Sequence, residues 1–269
     1  MIIEFFGPPA SGKTTLAHAL ASRLRDRGYM AKVILCYQPR SRGEGWDFLG
    51  IFSVGYRMSS AAFSVLLVLF SSFWERYEIK ISAKLLNIMP PESIKWRARI
   101  WQYIIRLSRC WKQAQRSTNI TIFDQGFVQA IGSLAMFNSA ADDALIAQAL
   151  QVAPQADLVV RIIVPRDVVE TRLRARMTCE AAAERLLEVD IADNMNAFRV
   201  FDDIGEILVS AHRNIVSIQS IDQQSSSSGL RQVEEEILAR LSLIEVSAIS
   251  KGRERNDLPA KRRLGKNQA

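Results

Sequence analysis

Gly7-Pro8-Pro9-Ala10-Ser11-Gly12-Lys13-Thr14 decides how this chain is read. The stretch fits G-x-x-x-x-G-K-[ST], in which glycines let the backbone curl until several N–H groups converge on one anion. Ile2-Ile3-Glu4-Phe5-Phe6 precedes it, a short apolar run that predicts a buried strand. Behind it, Leu16, Ala17, Leu20, Ala21 and Leu24 recur at helical spacing through residues 13–27. A strand before and a helix after are the context that separates a phosphate-binding loop from a chance glycine-rich turn. The helix start adds the positive end of its dipole. Lys13 is expected at the β- and γ-phosphates of a nucleotide, and Thr14 on Mg²⁺ through its hydroxyl. The expected phosphate-binding set is Gly7, Pro8, Ala10, Ser11, Gly12, Lys13, Thr14 and Thr15.

Further along, apolar runs at 32–37, 119–124, 157–165 and 214–220 predict four more strands. Helical patterns lie between them. Three helices are expected at about 56–74, 75–88 and 92–116, with Pro90-Pro91 separating the last two. More helix is expected at 127–151, 166–177 and 181–209. Residues 225–229 (Ser-Ser-Ser-Ser-Gly) read as a loop before a closing helix at 230–244. Strands alternating with helices predict an α/β fold: a five-stranded parallel sheet with helices on both faces, a three-layer sandwich. The expected organisation is one domain over 1–249, with a helical substrate-side insertion at 46–118 and a lid-like segment at 166–180. A basic tail at 250–269, poor in apolar residues, is expected to be disordered.

The formal charge of +7 is unevenly spread. Residues 250–269 hold seven Lys/Arg against two Asp/Glu, which leaves only +2 on the other 249 residues. That argues against a long phosphate-binding track, so nucleic acid is not the expected partner. The three cysteines, Cys36, Cys110 and Cys179, are widely spaced and form no C-x-x-C pair. They read as free thiols of a reducing cytoplasm. A strand beginning at residue 2 leaves no room for a signal peptide in this reading. Residues 58–74 carry no charge but include five serines. They fall short of the about 20 apolar residues that a spanning helix needs, and a buried core helix is the favoured reading.

Asp124 ends an apolar strand. Its expected role is to hold Mg²⁺ or to accept a proton, with helix capping as the structural alternative. Arg172 and Arg176 share one helix face at i, i+4 while Arg174 points elsewhere, which suits a polyphosphate whose charge moves during transfer. A solvated basic helix is the alternative there. Arg161 and Arg166 flank the same strand and are less well placed. The Gln38-Pro39 loop, with Arg40, Arg42 and Glu44, would face the acceptor side. Arg97, Arg99, Arg106 and Arg109 interleave with Trp96, Trp101, Tyr103 and Trp111 at 92–116. With Ile100, Ile104 and Ile105 at helical spacing, this reads as a core face beside a solvated basic face rather than a nucleic-acid platform.

On the loop, the strand ending in Asp124 and the Arg172/Arg174/Arg176 segment, the chain resembles P-loop kinases of the nucleoside and nucleotide kinase group, thymidylate kinases most of all. The resemblance implies a P-loop NTPase fold, ATP as donor, Mg²⁺ as cofactor and a lid closing over the phosphates. It also implies Lys13, Asp124, Arg172 and Arg176 as catalytic residues and Thr14 and Asp124 at the metal. Two positions depart from the pattern. Asp124-Gln125 stands where thymidylate kinases show Asp-Arg. Gln38-Pro39 stands where deoxynucleoside kinases show Glu-Pro, and an amide cannot take a proton.

The expected function is therefore transfer of the ATP γ-phosphate to a small acceptor, a nucleoside or nucleotide. A sugar, an antibiotic or a lipid-linked alcohol are the other acceptors considered. The alternative is an ATP-binding regulatory or membrane-associated protein with little kinase activity, touching a bilayer surface weakly through its basic tail. A homodimer is compatible with either. No N-K-x-D stretch supports a GTPase, and no L-S-G-G-Q stretch an ABC-type ATPase.

Overall fold

The structure, a computed structural model, describes residues 1–35, 76–179 and 191–256, with side chains described for 1–35, 78–175 and 197–243. Along the chain it shows β1 (Ile2–Phe6), α1 (Lys13–Asp26), β2 (Ala31–Ile34), α2 (Arg76–Ile88), α3 (Ile94–Gln115) and β3 (Ile120–Phe123). There follow α4 (Phe127–Met136), α5 (Asp143–Val152), β4 (Leu158–Ile163), α6 (Arg166–Cys179), α7 (Ile191–Ser210), β5 (Ile215–Gln219) and α8 (Gln223–Asn256). The strands form one sheet in the order β2-β3-β1-β4-β5. Every pair is parallel. All five carboxyl ends therefore lie at one edge. After β1 the chain crosses towards β2, and after β3 it crosses the other way, to β4. Such a reversal opens a crevice between the two strand ends, where ligands of open α/β sheets bind.

Side chains that alternate between two covered faces of the sheet explain the layers. Ile3 and Phe5 face one side of the sheet with Leu16, Leu20 and Leu24 of α1, Val169 and Leu173 of α6, and Val233 and Ile237 of α8. Ile2 and Phe6 face the other, against Trp111 of α3, Phe127 and Ile131 of α4, and Phe201 of α7. The fold is a three-layer α/β sandwich of the P-loop NTPase class, with α2 and α3 inserted between β2 and β3. Trp111 lies against Phe123 and Phe127, ring centroids 4.8 and 5.1 Å away. Together with buried Ile100, Ile104 and Ile105, it makes the apolar side of α3 part of the core.

Several expectations need adjustment. The helical pattern at 127–151 is two helices. Asp142 accepts the Leu145 N–H at 2.8 Å and caps the second. The Asn138 side chain accepts the Ala140 N–H in the connecting turn. The run 225–229 is helix rather than loop. Asp222 accepts the Ser225 N–H at 2.7 Å, and Ser225 Oγ accepts the Asp222 N–H at 3.0 Å, a reciprocal cap that outweighs the modest helix propensity of serine. Gly229 fits there because a Cβ would lie 2.8 Å from Ile218 Cβ. α8 continues past 250 to Asn256. The helix expected at 56–74, the Gln38-Pro39 loop, Arg40, Arg42, Glu44, Trp46, Trp74, Cys36 and the rest of the tail lie outside the described residues. No described helix is long and apolar enough to cross a membrane.

Candidate active site

The loop between β1 and α1 is built by backbone geometry. Gly7 has φ 148°, Gly12 has φ 90° and Ala10, unusually for a residue with a side chain, has φ 55°. At Gly7 a Cβ would sit 2.8 Å from the Ile162 carbonyl oxygen on β4, so the loop can lie this close to the sheet only with glycine. Gly12 caps α1 without a side-chain hydrogen bond. The first-turn N–H groups of Lys13, Thr14 and Thr15 have no acceptor within the helix and suit an anion.

Lys13 is buried. Its Nζ donates to the carbonyls of Gly7 (2.9 Å) and Pro8 (2.8 Å) and to Ser11 Oγ (3.4 Å). Burial pulls its pKa down to about 7, against the opposing pull of the Asp124 charge. Asp124 follows β3 and is buried. Its N–H reaches the Ile34 carbonyl on β2 at 3.4 Å, and its Oδ2 accepts a hydrogen bond from Thr14 Oγ1 at 2.9 Å. Two hard oxygens are thus brought together where the chain reverses direction, though 110 residues apart. Among the described residues no cluster of three His, Cys, Asp or Glu could hold a metal. A Thr hydroxyl and one carboxylate still fit Mg²⁺, which takes its other oxygens from phosphates and water.

Of the arginines, Arg172 reaches this edge. It donates to the carbonyls of Ala10 (3.4 Å), Ser220 (3.0 Å) and Ile221 (3.0 Å). Arg174 turns outward to Glu170, Arg161 pairs with Asp202 across to α7, and Arg166 lies over the Phe198 ring. The Arg176 side chain lies outside the described residues.

Three contributors escaped the sequence reading. Gln129, in the first turn of α4, accepts the Gly7 N–H at 3.2 Å. Tyr103 on α3 donates towards the carbonyls of Gln125 and Gly126, each at 3.2 Å. Glu4, in the middle of β1, is fully buried and accepts the Val128 N–H at 3.1 Å. Burial raises its pKa to about 7, and the Val128 N–H, the Arg213 charge and the Phe127 N–H pull the other way. The available signal was a lone polar residue in each apolar run, Glu4 among Ile2-Ile3-Phe5-Phe6 and Gln129 among Phe127-Val128-Ala130-Ile131. A separate cleft of about 810 Å³ opens at the far end of α4, lined by residues including Trp96, Phe137, Asp143 and Asp203. It shares no residue with the loop.

The sheet order, the loop and the acid after β3 define the class: a P-loop NTPase α/β fold. No family model matches the chain. No curated protein matches it either. Among solved structures it is similar to thymidylate kinase from Ehrlichia chaffeensis, at 17% sequence identity and TM-score 0.45, over 90% of this chain and 98% of that one.

Proposed function

We propose that the protein is an ATP-dependent phosphotransferase that moves the γ-phosphate to a small acceptor, a nucleoside or nucleotide. The observation that carries this reading is the Thr14–Asp124 hydrogen bond at the mouth of the crevice, beside a buried lysine and a helix start. In this reading Gly7, Pro8, Ala10, Ser11, Gly12, Lys13, Thr14 and Thr15 surround the triphosphate. Lys13 Nζ exchanges the Gly7 and Pro8 carbonyls for phosphate oxygens, which favours its charged form. Thr14 and Asp124 would hold Mg²⁺, and the ion would supply charge neutralisation across the β- and γ-phosphates.

An oxygen of the acceptor attacks the γ-phosphorus, and the bond from that phosphorus to the β,γ-bridging oxygen breaks, releasing ADP. Where the acceptor is a hydroxyl, its proton passes to water. The chain contributes positioning and fixed charge rather than covalent chemistry. An arginine of α6, Arg172 or Arg176, is the candidate for the phosphoryl group in flight. The region at 40–118 selects the acceptor.

The test mixes γ-labelled ATP, Mg²⁺ and the full-length protein with a panel of nucleosides, nucleoside monophosphates and sugars, with Lys13→Ala as control. Label moving to one acceptor class, and not in the variant, supports the reading and names the class. Label remaining on bound ATP with every acceptor refutes it in favour of a regulatory ATP-binding protein.

A further inference from the structure

Arg172 does not behave as a free cation awaiting phosphate. Its guanidinium donates to three backbone carbonyls, Ala10 of the phosphate loop and Ser220 and Ile221 of the β5–α8 turn. Among the described residues no carboxylate pairs with it, in contrast to Arg174 and its solvent-side partner Glu170. Three carbonyl dipoles converging on one planar fork are a fitted socket, and a fork of fixed geometry is what distinguishes arginine from lysine.

Each wall of that socket is itself anchored. Leu173, the next residue on α6, is buried in the core shared with α1 and α8. The β5–α8 turn is held by the Asp222–Ser225 cap, by Ser220 Oγ against Ser226 Oγ at 3.2 Å, and by the Ser220 N–H on the Ile163 carbonyl. The turn lies close under the loop, where a Cβ on Gly12 would be 3.5 Å from Ser220 Oγ. The third wall is the loop residue held in the left-handed region, Ala10 at φ 55°. A side-chain-bearing residue stays in that conformation only when its surroundings hold it there, and the Arg172 fork grips the carbonyl of this residue.

We propose that Arg172 is a positioning residue, a strut that holds the phosphate loop in its anion-ready curl by joining it to α6 and the β5–α8 turn, and that it does not carry the charge of the transferred group. The consequence for nucleotide binding rests on the phosphotransferase reading above. The strut itself does not. To reach a γ-phosphate, the guanidinium would have to leave all three carbonyls and release the loop at the moment the loop is needed.

The experiment compares full-length wild type, Arg172→Ala, Arg172→Lys and Arg174→Ala. Amide hydrogen exchange over residues 7–15 is measured without nucleotide, and Kd and kcat with ATP. In Arg172→Ala, exchange in the loop is expected to rise ~10-fold and ATP affinity to fall ~10-fold, the scale of losing charge-assisted hydrogen bonds. Turnover at saturating ATP is expected to stay within about tenfold of wild type, and added methylguanidinium to restore affinity. Arg172→Lys, which keeps the charge without the fork, is expected to change in the same direction by less and serves if the alanine variant fails to fold. Arg174→Ala is expected to match wild type. Unchanged loop exchange overturns the proposal. So does a loss of ~10³ or more in kcat at unchanged Kd, the signature of an arginine that stabilises charge in flight. A wild type that binds no ATP refutes the phosphotransferase reading, while the exchange measurement still decides the strut.

Discussion

Thr14 Oγ1 donates to Asp124 Oδ2 across 2.9 Å, joining the first turn of α1 to the end of β3. Strand pairing makes this contact possible. The register sets Glu4 opposite Phe123, so Asp124 leaves β3 beside the last residues of β1 and close to the loop that follows them. If these two oxygens share one ion, losing either removes most of the Mg²⁺ dependence, and losing both costs little more. Asp124→Ala is expected to lower transfer by ~10² or more, the scale of one preorganised charge contact. Titrating Mg²⁺ against turnover for Thr14→Ala, Asp124→Ala and the double variant checks this, and fully additive losses would contradict a shared site.

Lys13 is the second probe of the site. It is buried beneath the loop and its Nζ binds the Gly7 and Pro8 carbonyls, so its removal takes away the ammonium group that the loop encloses. Lys13→Ala is expected to abolish transfer while the sheet stays intact, because its neighbours Leu16 and Leu20 supply the packing. Circular dichroism alongside the labelled-ATP assay separates the two effects, and turnover near the wild-type rate would remove Lys13 from the mechanism.

Glu4 makes stability depend on pH in a definite direction. Its folded pKa is raised from 4.5 to about 7 by burial. Between those values the native state holds more protons than the unfolded chain. Its contribution is therefore complete below pH 4.5 and is lost as pH rises through 7. Comparison with Glu4→Gln isolates it. From pH 4.5 to 8 the variant should gain on wild type by on the order of 3 kcal/mol, at 1.36 kcal/mol per pKa unit. Urea unfolding at several pH values reads the difference, and parallel curves for the two proteins would show that Glu4 titrates normally.

Gly126 faces Glu4. A Cβ there would overlap the Glu4 Oε2 and lie 2.7 Å from Glu4 Cβ. The carboxyl cannot swing aside, because it is fully enclosed and holds the Val128 N–H. Gly126→Ala is expected to destabilise by about 1–3 kcal/mol, the usual cost of overpacking. Adding Glu4→Ala should recover part of that loss, which thermal unfolding of the double variant would reveal as non-additivity. Equal losses with and without Glu4 would place the strain elsewhere.

Local pattern carried the sequence a long way here. The short apolar run Ile2-Ile3-Glu4-Phe5-Phe6 and the helical spacing of Leu16, Leu20 and Leu24 were enough to set the loop between a strand and a helix. Short apolar runs spaced by helices were enough for a parallel α/β sheet, because β-α-β crossovers admit few alternatives. The loop residues 7–15 and the acid ending β3 are local signals too. Capping was legible only in part. Asp222 and Ser225 close a helix start that the serine run concealed, since a cap's reciprocal bonds depend on backbone geometry rather than on composition.

What residues far apart do together was decided by tertiary structure alone. Glu4 reaches Val128 across 124 positions, and Gln129 reaches Gly7 across 122. Arg172 finds the Ala10 carbonyl 162 residues away. In the sequence Arg172 and Arg174 are two like members of one basic run. The structure separates them, because Leu173 between them is anchored in the core, which turns Arg172 towards the loop and Arg174 towards solvent. Helix spacing predicts which residues share a face, but which face meets which neighbour is settled only when the layers pack.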